Sequence, residues 1–259
     1  MFRTPGAGLG NLLFPILRAV IGQQERGGTF VYPTFAQFKW GPLLRGERDK
    51  RFYTDVARAR RGGEWGDWLR SRLQGPSVGE DEERAATLTD GVIRYSGLRD
   101  YFHDLAGHQP LVRQWYAANM RTGPAGEDYD IAVHIRLGDF VADPGQTGDV
   151  NTRTSFDWYR GAIEAGAKQL GLASPRLLIF TDGSFDEVRE GLGAADLRFD
   201  ESGQAAAAMA RMARARLIVT SRSTFSMWGA FLGDAPAIWD GNFDYREFFP
   251  HRAGLDISL

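Results

Sequence analysis

The run Val133-His134-Ile135-Arg136-Leu137-Gly138-Asp139-Phe140 sets an imidazole, a guanidinium and a carboxylate within six residues, at the end of an apolar stretch. In an open parallel sheet, ligands meet the carboxyl ends of the strands. An arginine there offers a planar fork of donors that suits phosphate or carboxylate. A salt bridge beside a strand end is the plainer use of the same residue. His134 is either a hydrogen-bonding partner or a core histidine. Asp139 can hold Arg136 in place, contact a ligand hydroxyl, or act as a base.

Two other segments fit the same picture. Gly6, Gly8 and Gly10 are spaced G-x-G-x-G ahead of Asn11. A dinucleotide fingerprint needs G-x-G-x-x-G between strand and helix, so that reading fails. What remains is a turn bringing backbone N–H groups and the Asn11 amide to a helix N-terminus, an anion site, or simply a tight turn. Near the other end, Ser223-Thr224-Phe225-Ser226 puts small hydroxyl residues between an apolar run and a helix. They can aim O–H and N–H groups at a diphosphate, or Ser can serve as an ordinary N-cap. Asp182, ending its own apolar run, is either a ligand contact or a cap for the next helix.

These groups need elements to hold them. Residues 131–135, 177–181, 217–220 and 237–239 read as buried strands, being continuous apolar runs closed by polar residues. Helices are expected over 156–170, after a capping box at Ser184 and Glu187, over 204–214 and over 225–232. Strands alternating with helices imply a doubly wound parallel sheet. The first half is less regular. A helix is expected over 11–21, a strand over 29–32 and packed helices over 91–119, while 41–79 has no steady period. Residues 121–130, with Gly, Pro and acidic side chains, read as a linker. Two α/β lobes facing a cleft is the economical architecture.

Composition narrows the function. The chain has 259 residues, 43% hydrophobic and 25% charged, as an ordinary globular protein does. Its net charge of −2 argues against a dedicated nucleic-acid binder, and zero cysteines exclude disulfides, thiolate metal sites and cysteine nucleophiles. No leader peptide or membrane span is evident, so a cytoplasmic protein is expected, peripheral attachment to the inner membrane face being compatible with that. Lysine occurs only at Lys39, Lys50 and Lys168, so nearly all positive charge is arginine and no single arginine is informative by type alone.

Taken in order, Gly8-Leu9-Gly10-Asn11-Leu12-Leu13-Phe14, His134-Ile135-Arg136-Leu137-Gly138-Asp139-Phe140, Ile179-Phe180-Thr181-Asp182 and Ser223-Thr224-Phe225-Ser226-Met227-Trp228 resemble the motifs of bacterial α-1,2-fucosyltransferases. That family belongs to the wider superfamily using GDP-fucose. The resemblance is best over 130–240 and thinnest over 41–79. It implies an α/β glycosyltransferase B-type fold of two Rossmann-like lobes: a small, irregular acceptor-side lobe (1–125) and a nucleotide-sugar-binding lobe (126–259). It implies inverting, metal-independent transfer of fucose from GDP-fucose to a glycan or glycosylated small molecule. No cofactor, nucleic acid or integral membrane association is implied.

By the same resemblance, Arg136 would bind the β-phosphate, with His134 beside the nucleotide and the 223–226 loop around the phosphates. Gly8, Gly10 and Asn11 would approach from the other lobe. Asp182 is counted with the donor site. Asp139 and Asp143 are the candidates for general base. One departure stands out: Leu137 occupies a position where the family usually has a second basic residue. Transfer of another sugar from a nucleotide donor, or nucleotide-sugar binding without catalysis, are the alternatives.

Overall fold

The computed structural model describes residues 8–31, 35, 53, 56–58, 66, 69, 73, 75–124, 128–138 and 152–259. Among them the chain divides into two compact units, one reaching to Arg121 and one running on from Thr122.

The first unit is organised by α1 (Leu9–Arg26), longer at both ends than the expected 11–21. Leu9, Leu13, Phe14, Ile16 and Leu17 are almost fully buried, and Phe14 packs edge-on against Phe102 at 4.8 Å. Burying such side chains contributes roughly 1.5–3 kcal/mol each. A short parallel pair follows, β1 (Ser77–Gly79) and β2 (Val92–Arg94), with α2 (Glu83–Thr87) between them. A 3₁₀ turn (His103–Leu105) and α3 (Gln109–Asn119) complete the described part. Residues 91–119 are therefore not all helical: Val92 and Ile93 pair with Ser77 and Val78 and open the segment as a strand. Thr29, Phe30 and Val31 belong to no strand, and Tyr32 lies outside the described residues.

The second unit is the α/β body read from the sequence. Its elements are β3 (Ile131–Ile135), α4 (Phe156–Gln169), β4 (Leu177–Thr181), α5 (Phe185–Leu192), α6 (Ala205–Met212), β5 (Leu217–Val219), α7 (Thr224–Leu232), β6 (Ala237–Trp239) and β7 (Asp256–Ser258). All five strands are parallel, in the order β4-β3-β5-β6-β7. Every residue of β3, β5 and β6 is buried, as strands covered on both faces must be. Ile131, Val133, Ile135, Tyr159, Ile179, Val188, Leu217 and Val219 form the core between sheet and helices.

The strand order marks where a ligand site is expected. From β3 the chain moves outward to β4, then crosses back to β5 on the other side of β3 and continues outward to β6 and β7. Open α/β sheets bind ligands in the crevice outside such a reversal, which here falls at the carboxyl ends of β3 and β5. No helix among the described residues is long and apolar enough to cross a membrane.

Candidate functional site

Arg136 leaves the end of β3 next to that reversal. Its Nη1 lies 2.5 Å from Oδ2 of Asp182, which leaves the end of the neighbouring β4. The other oxygen of Asp182 accepts the backbone N–H groups of Leu137 at 2.9 Å and Gly138 at 3.1 Å. Burial pushes the Asp182 carboxyl up, but the Arg136 charge and the two amides outweigh it, and the group is held below the usual carboxylate range. Ser184, not Asp182, caps α5, its Oγ accepting the Glu187 N–H. The cap, one of the two uses open to Asp182 in the sequence, is thus taken by Ser184, and the Asp182 carboxylate faces β3 instead.

His134 is buried in β3, and the cost of burying its ring is offset by a partner at the end of β5. Nδ1 lies 2.7 Å from Oγ of Ser221, with the donor set by the imidazole tautomer. Burial pushes the His134 pKa down to about 3; Asp182 opposes this and Arg136 adds to it. The ring is therefore neutral at any working pH. Phe225, half-buried at the start of α7, packs against it with ring centres 5.2 Å apart.

The 223–226 loop divides its hydroxyls between jobs. Ser223 is the N-cap of α7, accepting the Phe225 N–H at 3.2 Å. Ser226 is fully buried, its Oγ accepting the Ser221 N–H and contacting the Ser221 and Ser223 carbonyls. Its side chain thus braces the loop from inside. Thr224 and Phe225 are half-buried at the first turn of α7. The amides of that turn carry the positive end of the helix dipole.

Other residues hold the same strand ends and had no separate signal in the sequence. Arg222 donates from Nε and Nη2 to Asp240 at 3.0 and 2.9 Å, and Thr154 donates to the same carboxylate at 3.2 Å. Tyr159 of α4 hydrogen-bonds Thr154 and the Arg136 backbone, its phenol pushed up chiefly by burial. Arg153 donates to the Leu137 carbonyl at 2.8 Å and pairs with Glu187 at 2.9 Å. Leu137 itself is 2% exposed, so its side chain belongs to the core.

The remaining candidates lie elsewhere. Gly8, Gly10 and Asn11 belong to the first unit: Gly8 precedes α1 and the other two sit in its first turn. The Gly8 carbonyl accepts the Asn11 and Leu12 N–H groups, and the Leu9 N–H donates to the Tyr53 hydroxyl at 2.8 Å. Asp139 and Asp143 lie outside the described residues. Among the described residues no three His, Cys, Asp or Glu side chains converge as a metal centre requires.

A mixed α/β body with parallel sheets and a strand-end site fits a glycosyltransferase B-like fold. A solved structure similar to this chain supports that at the level of fold. A crystal structure of POFUT1 in complex with GDP matches at a TM-score of 0.50 and 14% identity, over 92% of this chain and 96% of that one. A second GDP complex of POFUT1 matches at 0.47 and 14%, over 90% and 94%. A complex with GDP-fucose matches at 0.44 and 14%, over 90% and 93%. No family model and no curated protein matches the sequence.

Proposed function

We propose that this chain is a glycosyltransferase that holds a GDP-sugar at the β3/β5 crevice of its second unit and transfers the sugar, fucose by the motif resemblance, with inversion. The observation that carries this reading is the placement of Arg136. Its guanidinium leaves the end of β3, where the strand order reverses, and meets Asp182 at the end of β4, in a fold shared with a structure solved with GDP. Departure of GDP breaks the bond between the anomeric carbon and the diphosphate and leaves the electron pair on the phosphate oxygen. Arg136 and the α7 amides are suited to stabilise that developing charge.

An acceptor hydroxyl of a glycan or glycosylated small molecule attacks the opposite face, and a base takes its proton. Asp139 and Asp143 are proposed for that role. Neutral His134 and Phe225 flank the nucleotide, and Gly8, Gly10 and Asn11 are proposed to contact the donor from the first unit. The chemistry asks for no metal, and the reading implies activity that EDTA leaves unchanged.

One observation favours a second reading, nucleotide-sugar binding without transfer. Leu137, where a second cation would strengthen the hold on a diphosphate, is packed into the core. Calorimetry with GDP, GMP, UDP and ADP, followed by turnover of GDP-fucose, tests both. Selective GDP binding with sugar release or transfer supports the enzyme. Selective GDP binding without turnover selects the second reading, and preference for UDP or ADP overturns the GDP-sugar assignment.

A further inference from the structure

We infer that Asp182 is a positioning residue that sets the Arg136 guanidinium for a diphosphate without itself touching the ligand. The inference rests on the reading of Arg136 as the diphosphate ligand and adds how the arginine is kept in place.

The carboxylate divides its two oxygens between two tasks. Oδ1 accepts the Leu137 and Gly138 amides, fixing the backbone that follows Arg136, and Oδ2 faces the guanidinium at 2.5 Å. One side chain thus fixes the arginine at both root and tip. The two strand-end turns are pressed together as this requires. A Cβ on Gly138 would lie 2.5 Å from Asp182 Oδ2, and a Cβ on Gly183 would lie 2.6 Å from Leu137 Cδ1. Only glycine allows such an approach at either place. Arg153 holds the Leu137 carbonyl from the far side and is itself tied to Glu187.

An arginine without such a partner samples many rotamers, and each must be given up when a ligand binds. An arginine already oriented gives up fewer. A guanidinium has five N–H donors in a plane, so the edge engaged by Asp182 dictates where its other edges point. With the Asp182 carboxyl held below its usual range by that cation and the two amides, the pair is ionised at neutral pH. The anion therefore meets a preset cation.

Asp182→Asn separates the two tasks. The amide oxygen can still accept the Leu137 and Gly138 N–H groups, while its NH₂ cannot accept from Arg136. Calorimetric affinities for GDP and GMP would be compared in wild type, Asp182→Asn, Arg136→Ala and the double variant. The expected result is a loss of about tenfold or more for GDP in Asp182→Asn, the size of one charge-assisted hydrogen bond. GMP, lacking the β-phosphate, should change by less than about threefold, and the double variant should bind GDP no more weakly than Arg136→Ala.

Should Asp182→Asn unfold, Gly138→Ala gives a second route, pushing on Oδ2 while leaving every charge in place. It should likewise lower GDP affinity more than GMP affinity. Equal losses for GDP and GMP in whichever variant folds, or losses that multiply in the double variant, would overturn the positioning role. A wild-type protein that binds no GDP would instead overturn the proposed function beneath it, so the two failures are told apart.

Discussion

Arg18 in the first unit and Arg136 in the second are both ion-paired arginines, and they are built for opposite ends. Arg18 is 6% exposed, and its donors are spent on its own chain. Nε and Nη2 pair with the two oxygens of Glu80, each at 3.0 Å, while the Ser96, Gly97 and Leu98 carbonyls take further bonds. Glu80 in turn accepts the Ser96 N–H, so one buried pair pins a whole turn onto α1. Arg136 stands at a strand end where the sheet order reverses, its side chain 19% exposed and ion-paired with an Asp182 carboxylate that is itself 21% exposed. A cation surrounded by carbonyls is structural. A part-exposed cation paired with a carboxylate at a strand end suits the anion site proposed above.

The largest effect expected from this contrast is on stability. Arg18→Met should cost about 3 kcal/mol, because buried Glu80 loses its bidentate partner and keeps only the more exposed Arg99 at 3.3 Å, while the Ser96, Gly97 and Leu98 carbonyls lose their donor. Chemical denaturation would show it, and a loss under about 1 kcal/mol would mean that the pair is not desolvated and that the contrast fails. Arg136→Ala should do the reverse. Turnover of a GDP-sugar should fall roughly 10²–10³-fold, the loss typical of a donor aimed at developing charge. Its denaturation midpoint should move little. A tenfold fall or less would remove Arg136 from the diphosphate and erase the distinction from Arg18.

How much of each region could be read from sequence follows from the range of the interactions. Strands β3, β4 and β6 were legible to the residue, because a strand buried on both faces must be continuously apolar and polar residues close it. Strand β7 was not, since Asp256-Ile257-Ser258 offers one apolar residue and is paired only through β6. The pair β1 and β2, three residues each, lies below any periodic signal. Arg18 and Glu80 are 62 residues apart, and Arg222 and Asp240 are 18 apart, so no local spacing announces either pair. The motif residues were visible by type, yet their tasks were not. Ser223 and Ser226 read alike as phosphate-facing hydroxyls or an ordinary N-cap, and only packing shows Ser223 capping α7 and Ser226 turned inward.

Within the second unit the contrast can be sharpened at Ser221, whose hydroxyl meets the buried His134 ring. Ser221→Ala removes that partner and should cost about 1–3 kcal/mol, the usual penalty for a buried polar group left unpaired. Thermal or chemical unfolding would measure it. Full stability in the variant would mean that another group satisfies Nδ1, and that the β3 and β5 ends are joined less directly than the 2.7 Å contact implies.

The effect that is smallest per step of the variable is the pH response of His134, and its sign is fixed by burial. In the folded chain burial holds the pKa near 3, whereas an unfolded histidine titrates near ~6.5. Above about pH 6.5 the ring is neutral in both states, and its contribution to stability is complete. As pH falls below that value the unfolded chain binds a proton that the native chain refuses. Stability then declines by about 1.4 kcal/mol per pH unit, until the folded ring itself titrates. Asp182, whose depressed pKa matters only below the usual carboxylate range near ~3.9, adds nothing between pH 6.5 and 5. His134→Asn, which has no proton to take up, should flatten the slope in that window by about one proton's worth. An unchanged slope would mean that the ring reaches solvent, and the imidazole at the β3 end would then be a titrating group instead of a neutral prop beside Arg136.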